Sequence, residues 1–542
     1  MATCFMGIDV GTGSARAGIF DQAGRMLGTA KCDITVFHEP GSRVEQSSSE
    51  IWQAVATASK GALVQAGIDP ADVVGVGFDA TCSLVVLGEG GTPLPIGDDA
   101  NGDRDIIVWM DHRSIEQAER INKMGHRVLD YVGGIISPEM ETPKLLWLKE
   151  HKPEIFAKAW RFFDLTDFLT WRATGSDARS ICTVTCKWTY MGHEASWDAD
   201  YFTKIGLGVL AEEGFERIGT QVVDAGTPLG TGLTAEAAAD LGLVAGTAVG
   251  AGLIDAHAGG IGTVGATGAG KPQDNLGYVF GTSSCTMTST DEPVFVPGVW
   301  GPYFSAMVPG LWLNEGGQSA AGAAIAQLLT YHPAAFEAGA LAKAEGCALP
   351  DWLAARAVAM AGADKARADK TVASLADGMH VVPEFIGNRA PYGDPHTRAV
   401  IAGLGMEADI DNLVALYVAG VCSLGYGLRQ IIEAQAEAGA KIQSIVISGG
   451  AGRSDLVRQL LADATGVRVA APATEEPVLL GSAILGAVAG GAFGTVADAM
   501  AAMSSIAADY PPADGAARTY HDTRYDLFKR FQNLAREAAV RS

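Results

Sequence analysis

The 542-residue chain is poor in cysteine, in aromatic residues and in positive charge. Its eight cysteines, Cys4, Cys32, Cys82, Cys182, Cys186, Cys285, Cys347 and Cys422, form no Cys-x-x-Cys pair, and Cys182 and Cys186 are spaced wrongly for the usual zinc knuckle. Thiols scattered in this way are read as reduced and mostly buried. Lysine and arginine number 39 against 62 acidic residues, a net charge of −23 with no broad basic stripe. That argues against a nucleic-acid or anionic-membrane partner. It does not exclude ATP, because a few backbone donors and one or two basic groups bind phosphates locally. The N-terminus shows no cationic stretch followed by an apolar segment, so no secretion signal and a cytoplasmic location are expected. One uncharged run, Val478 to Ala497, is long enough for a membrane span, but it is mostly Ala and Gly. A helix packed closely inside a soluble domain is the better reading.

What is present is a globular composition, 48% hydrophobic and 19% charged, long enough for two or more domains. Phe5 to Asp21 reads strand, tight turn, strand, with Gly11, Thr12, Gly13 and Ser14 in the turn and Asp9 beside it. Small residues there let backbone N–H groups approach phosphate oxygens, and Asp9 could hold Mg²⁺. Taken alone, the stretch also fits an ordinary Gly-rich hairpin. Ser47 and Glu50 suggest a capping box before a helix over 51–65. Strands are predicted at Val73 to Phe78 and Leu84 to Leu87. The apolar run from Ile106 carries Trp109 and Asp111 at period two, which a strand would place on one face. A ring beside a carboxylate suits a sugar, and a core Trp with a surface Asp is the plainer alternative. Lys187 stands in an apolar, hydroxyl-rich stretch, either in a site or reaching for water.

Asp255 follows a predicted strand over 247–252 and opens a helix, where it could face a cleft as a catalytic acid or serve as an N-cap. His257 has no second His or Cys at ligand spacing in the sequence. Gly265 to Pro272 nearly spells a Walker A loop, but Pro272 stands where Ser or Thr must bind Mg²⁺, so it reads as a flexible connector. The second half then repeats the first: Tyr278 to Met287 is strand, hydroxylated turn, strand, with Gly281, Thr282 and Ser283 echoing the first turn. Two such hairpins could clamp a phosphate chain. Glu315 precedes Gly316-Gly317, read as a turn, and 333–378 is Ala-rich and read as helical. A long helix is predicted over 410–438. A strand, a Gly loop at Gly449 to Gly452 and a helix follow, a unit that lets a ligand approach the backbone.

Together, the hairpin with Asp9, the junction at Asp255, the hairpin at Gly281 to Ser283, Gly449-Gly450-Ala451 and the Pro391-to-Gly403 stretch resemble the FGGY carbohydrate kinases, within the sugar kinase, Hsp70 and actin superfamily. The resemblance implies an α/β chain of two RNase H-like domains, 1–264 for sugar and 265–542 for ATP, with the active site in the cleft between them. It implies Asp255 as general base, Asp9 as the Mg²⁺-associated acid, Gly281-Thr282-Ser283 as the β/γ-phosphate loop, and Gly450 and Ala451 beside the adenosine. ATP, Mg²⁺ and a small sugar are the expected partners, and a homodimer is compatible with it. Within the family the likeness is to pentulose kinases, which implies sugar contacts from Trp109, Asp111, Lys187 and Glu315 and D-ribulose as substrate. L-ribulose, D-xylulose and ribitol remain alternatives, as do an actin-like switch and a non-catalytic sugar sensor. The helix at Lys144 to Trp147 fits the family signature only partly. Cys82-Ser83 stands where glycerol kinases carry Arg-Glu, which makes glycerol a poor candidate.

Overall fold

The computed structural model describes residues 3–97, 103–363 and 371–541. The first half is built from β1 (Cys4–Val10), β2 (Ser14–Asp21), β3 (Met26–Asp33), α1 (Ser48–Ala66), β4 (Val73–Ala80), α2 (Ile181–Lys187), β5 (Ala248–Val249), β6 (Leu253–Ile254) and α3 (Asp255–Ile261), with further elements between α1 and β5. Strands β1, β2 and β3 form an antiparallel meander. Strand β4 then lies parallel to β1, and β5 and β6 lie parallel to β4.

The second half repeats this plan. It contains β7 (Asn275–Phe280), β8 (Ser284–Thr290), β9 (Trp300–Phe304), β10 (Trp312–Gln318), α4 (Gly322–Thr330), α5 (Ile410–Glu437), β11 (Ser444–Ser448), α6 (Asp455–Thr465), β12 (Arg468–Pro472), α7 (Pro477–Ala489) and β13 (Ile506–Tyr510). Its sheet order is β9-β10-β8-β7-β11-β12-β13. Strands β7, β8 and β10 are antiparallel, and β11 and β12 run parallel to β7. Three antiparallel strands followed by two parallel ones, once in each half, is the RNase H-like arrangement.

Helix α7 lies in the second half of the sequence, yet it packs on β1 and β4 of the first sheet and against α3. Glycine makes this close approach feasible. A Cβ at Gly75 would lie 1.9 Å from Gly486 O, one at Gly77 would lie 1.9 Å from Ser482 O, and one at Gly481 would lie 1.8 Å from Ala258 O. The uncharged Ala- and Gly-rich run is thus an interior helix of 13 residues. Among the described residues only α5 is long and apolar enough to cross a membrane, and 78% of its most apolar window is buried within the protein.

Several local expectations are corrected. Ser47 caps α1 by accepting from Glu50 N at 3.3 Å, but Glu50 turns away to Thr35 N and Oγ1, so only half of the capping box forms. The strand expected over 247–252 splits into β5 and β6. The interruption falls at Gly250 to Gly252, where Phe78 O approaches within 2.4 Å of a Cβ on Gly252. Gly316 and Gly317 lie inside β10 rather than in a turn, and Gly317 at φ 141° lets the Ser284 carbonyl approach. The 265–272 segment is tethered rather than free, since Thr267 N donates to Ser504 O and Ile506 N donates to Thr267 O. The Ala-rich stretch forms helices Ala335–Ala344 and Leu349–Ala363, and its residues 364–370 lie outside those described.

Candidate active site

Asp9 sits at the C-terminal end of β1, directly across from Asp79 on parallel β4. The next strand in the same sheet, β6, feeds α3, whose first residue is Asp255. Three carboxylates from adjacent strand ends therefore converge at one edge of the first sheet. Asp79 is fully buried. Ser482 Oγ donates to its Oδ2 at 2.5 Å, and its Oδ1 receives no hydrogen bond. Burial, reinforced by the charge of Asp9, holds the Asp79 carboxyl well above the usual range. Arg16 supplies a cation here: its Nε donates to Asp9 Oδ2 at 2.8 Å and its Nη1 to Glu476 Oε2 at 2.8 Å. A buried all-oxygen set with an orphaned oxygen fits a hard divalent cation such as Mg²⁺. Asp79 went unassigned in the sequence. Its signal was an apolar strand ending in Asp, like β1.

Asp255 occupies the first turn of α3 and not its N-cap, which is Ile254. Its Oδ1 accepts from Ala256 N at 2.7 Å. Burial, with the charge of Asp9, raises its pKa to about 6. Helix α3 packs against α7 and touches β7 and β8, so Asp255 stands at the seam of the two halves.

The turns of both hairpins are tied down. Gly11 N donates to Ser14 O at 3.0 Å, Gln46 Nε2 to Thr12 O at 2.7 Å, and Trp109 Nε1 to Thr12 Oγ1 at 3.0 Å. A Cβ on Gly13 would meet nothing within 4 Å, so this turn leaves its backbone open to a ligand. In the second hairpin Gly281 N donates to Ser283 O. The amides of Ala321, the N-cap of α4, and of Ala323 in its first turn donate to Thr282 O. Beyond it, Gly450 and Gly452 line a cavity of about 470 Å³ with Arg16, Arg453, Thr474 and Val478. Gly450 has open space where a side chain would stand, whereas a Cβ on Gly449, at φ 92°, would lie 2.5 Å from Phe280 O. Ala451 turns instead toward Gly322 at the start of α4.

On the other side of Asp255, Lys187 ends α2 and Glu315 lies mid-β10, both buried. Burial works against charge on Lys187, but Cys82 and Glu315 outweigh it and hold its pKa above the usual value. Glu315 is likewise opposed by burial, yet His257 and Lys187 bring it down to about 2, so it stays a carboxylate. Lys187 Nζ and the Arg389 guanidinium each stand 5.7 Å from the Trp300 ring centre. Trp300 and Arg389 carry no signal as site residues in the sequence, and His257, two residues past Asp255, is weighed there only as a metal ligand and set aside for want of a second ligand at spacing.

Trp109 and Asp111 are separated by the structure. The strand ends at Ile107 (Ile106–Ile107), so the period-two argument fails. Trp109 is half-buried beside the first turn. Asp111 is wholly enclosed, accepting from Val44 N at 2.6 Å, Arg113 Nε at 2.9 Å and Arg113 Nη2 at 2.7 Å. Its oxygens are committed to holding Arg113, which also reaches Glu45 at 2.9 Å.

Two RNase H-like halves, with an acidic residue at the seam and a glycine-rich hairpin in each, define the class of actin, Hsp70 and sugar kinases. The chain belongs to the FGGY family of carbohydrate kinases. The family's N-terminal domain matches residues 4–262 and its C-terminal domain residues 276–490. It is 44% identical to the human FGGY carbohydrate kinase domain-containing protein over 97% of this chain and 95% of that one. It is 38% identical to a D-ribulokinase of Saccharomyces cerevisiae over 90% of this chain and 72% of the relative. A xylulose kinase from Rhodospirillum rubrum shares the fold, with a TM-score of 0.80 at 20% identity over 99% of both chains. The protein is a carbohydrate kinase.

Proposed function

We propose that the protein transfers the γ-phosphoryl group of ATP to a primary hydroxyl of a ketopentose, converting D-ribulose to D-ribulose 5-phosphate. The observation that carries this reading is the convergence at one seam of Asp255, near pKa 6, with the buried Lys187 and Glu315. Asp255 takes the proton from the attacking hydroxyl, and its raised pKa suits a base working near neutral pH. Lys187 donates to, and Glu315 accepts from, oxygens along the sugar, while Trp109 offers a ring edge beside the first turn. Gly11, Thr12, Gly13 and Ser14 hold the phosphate chain from one side, and Gly281, Thr282 and Ser283 from the other. Gly450 borders the adenosine, and Ala451 backs that loop against the start of α4. Asp9, with Asp79 beside it, would hold Mg²⁺, which when bound neutralises phosphate charge. Asp111 is spent on holding Arg113 and makes no sugar contact in this reading. Similarity to a yeast D-ribulokinase supports the choice of sugar.

The test is a coupled ADP-release assay on D-ribulose, L-ribulose, D-xylulose and ribitol. D-ribulose is expected to give the highest kcat/KM. A better rate on another sugar would reassign the substrate, and ADP release indifferent to every sugar would overturn the kinase reading.

A further inference from the structure

Beneath the sugar-side residues lies a cluster that the phosphotransfer reading does not use. Cys182 and Cys186 stand four residues apart on α2, so their thiols share one face of the helix. Helix α3 delivers His257 to that face from 75 positions along the chain, with Cys182 Sγ 3.1 Å from His257 Nδ1. The two sulfur atoms and a ring nitrogen of His257 all lie within 4.8 Å of one another. All three residues are sealed from solvent.

The surroundings of the cluster resemble the outer shell of a metal site. The far ring nitrogen, His257 Nε2, faces Glu315 Oε2 at 3.4 Å. An imidazole held by a carboxylate on one nitrogen presents the other in a fixed orientation and tautomer, ready to ligate. Ile254 N donates to Cys182 Sγ at 3.5 Å, the kind of contact that supports a thiolate. Two thiolates and one imidazole are a donor set for borderline-soft d¹⁰ cations and a poor one for Mg²⁺ or Ca²⁺.

We propose that Cys182, Cys186 and His257 form a binding site for a zinc-class divalent cation, and that its occupancy slows sugar phosphorylation. The cation replaces protons on the two thiols, which leave to solvent, and meets the lone pair of His257 Nδ1. Occupancy reaches the chemistry through two contacts already described. Ile254, bonded to Cys182, immediately precedes Asp255, and His257 shares Glu315. This second half rests on the reading of Asp255 as the base; the binding itself does not.

The experiment titrates the full-length protein, freed of metal by chelation, with Co²⁺ and then Zn²⁺, without nucleotide or sugar. Thiolate-to-cobalt charge-transfer absorption reads these sulfur ligands and is silent for an all-oxygen Mg²⁺ site. One equivalent should bind with that absorption and be displaced by Zn²⁺. Cys182→Ser and Cys186→Ser should each lose it, while Cys347→Ser, at an exposed cysteine outside the cluster, should keep it. Zn²⁺ should then lower the ribulose-dependent rate of the wild type at least tenfold, each protein being normalised to its own metal-free rate, and spare both serine variants. No charge-transfer band, or a band unchanged in both variants, overturns the site. A band in the wild type without loss of rate overturns its coupling to catalysis, and a protein that binds metal but phosphorylates no sugar overturns the kinase reading instead.

Discussion

Arg16 reaches Glu476 at 2.8 Å on the wall of the cavity beside Gly450, joining residues 460 positions apart while its other nitrogens hold Asp9. Both side chains are about one-third exposed. Such a pair is worth about 0–1 kcal/mol. Arg16 and Glu476 line the same cavity, so in the proposed reaction ATP phosphates would compete with Glu476 for the guanidinium. Glu476→Gln should therefore lower KM for ATP by up to about fivefold with kcat little changed. Steady-state kinetics with varied ATP checks this, and a raised KM would give Glu476 a direct role in holding nucleotide.

Asp255→Asn should lower kcat roughly 100-fold or more, about 3 kcal/mol of barrier. The wild type should also show an acid limb. The base must be ionised, so kcat/KM should fall about tenfold per pH unit below the pKa of about 6 and level off above it. A pH profile flat through that range would remove Asp255 from the proton-transfer step.

Asp105 is buried against Ser48 N at 2.9 Å and Ser48 Oγ at 2.6 Å, and burial pushes its pKa up to about 7. Its folded-state pKa exceeds the unfolded value near 4, so the folded state holds the extra proton between those values. The stability due to this group is therefore present at pH 4, falls as pH rises toward 7 and stays lost above it. Asp105→Asn keeps a similar shape without the charge. It should match the wild type near pH 4 and exceed it at pH 8 by up to about 4 kcal/mol. Urea unfolding at both pH values measures this, and a gap that does not widen would refute it.

Gly481→Ala places a methyl 1.8 Å from the Ala258 carbonyl, where only backbone can yield. Overpacking costs about 1–3 kcal/mol and outweighs the ~1 kcal/mol that Ala gains in a helix. The variant should melt several degrees lower and lose turnover, because Ala258 lies three residues past Asp255 on the same helix. An unchanged Tm would mean that α7 and α3 are free to move apart.

The two hairpins, the long α5 and the position of Asp255 at a strand-to-helix junction were legible in the residues, because each depends on neighbours a few positions away. Periodicity misled at Trp109 and Asp111, where the chain turns after Ile107 and a buried arginine claims the carboxylate. Linear spacing also argued against a metal role for His257, since its nearest cysteine partners lie about 70 residues earlier and meet it only when α2 and α3 pack.

Local chemistry thus settled which segments become strand, turn and helix, and with them the doubled plan of the chain. Packing decided the rest. Helix α7 crosses back to the first sheet, Asp79 is buried beside Asp9, and Lys187, Glu315 and His257 meet at one seam. Their charge states follow from burial and from partners distant in the sequence, and those exist only once the two halves are folded against each other.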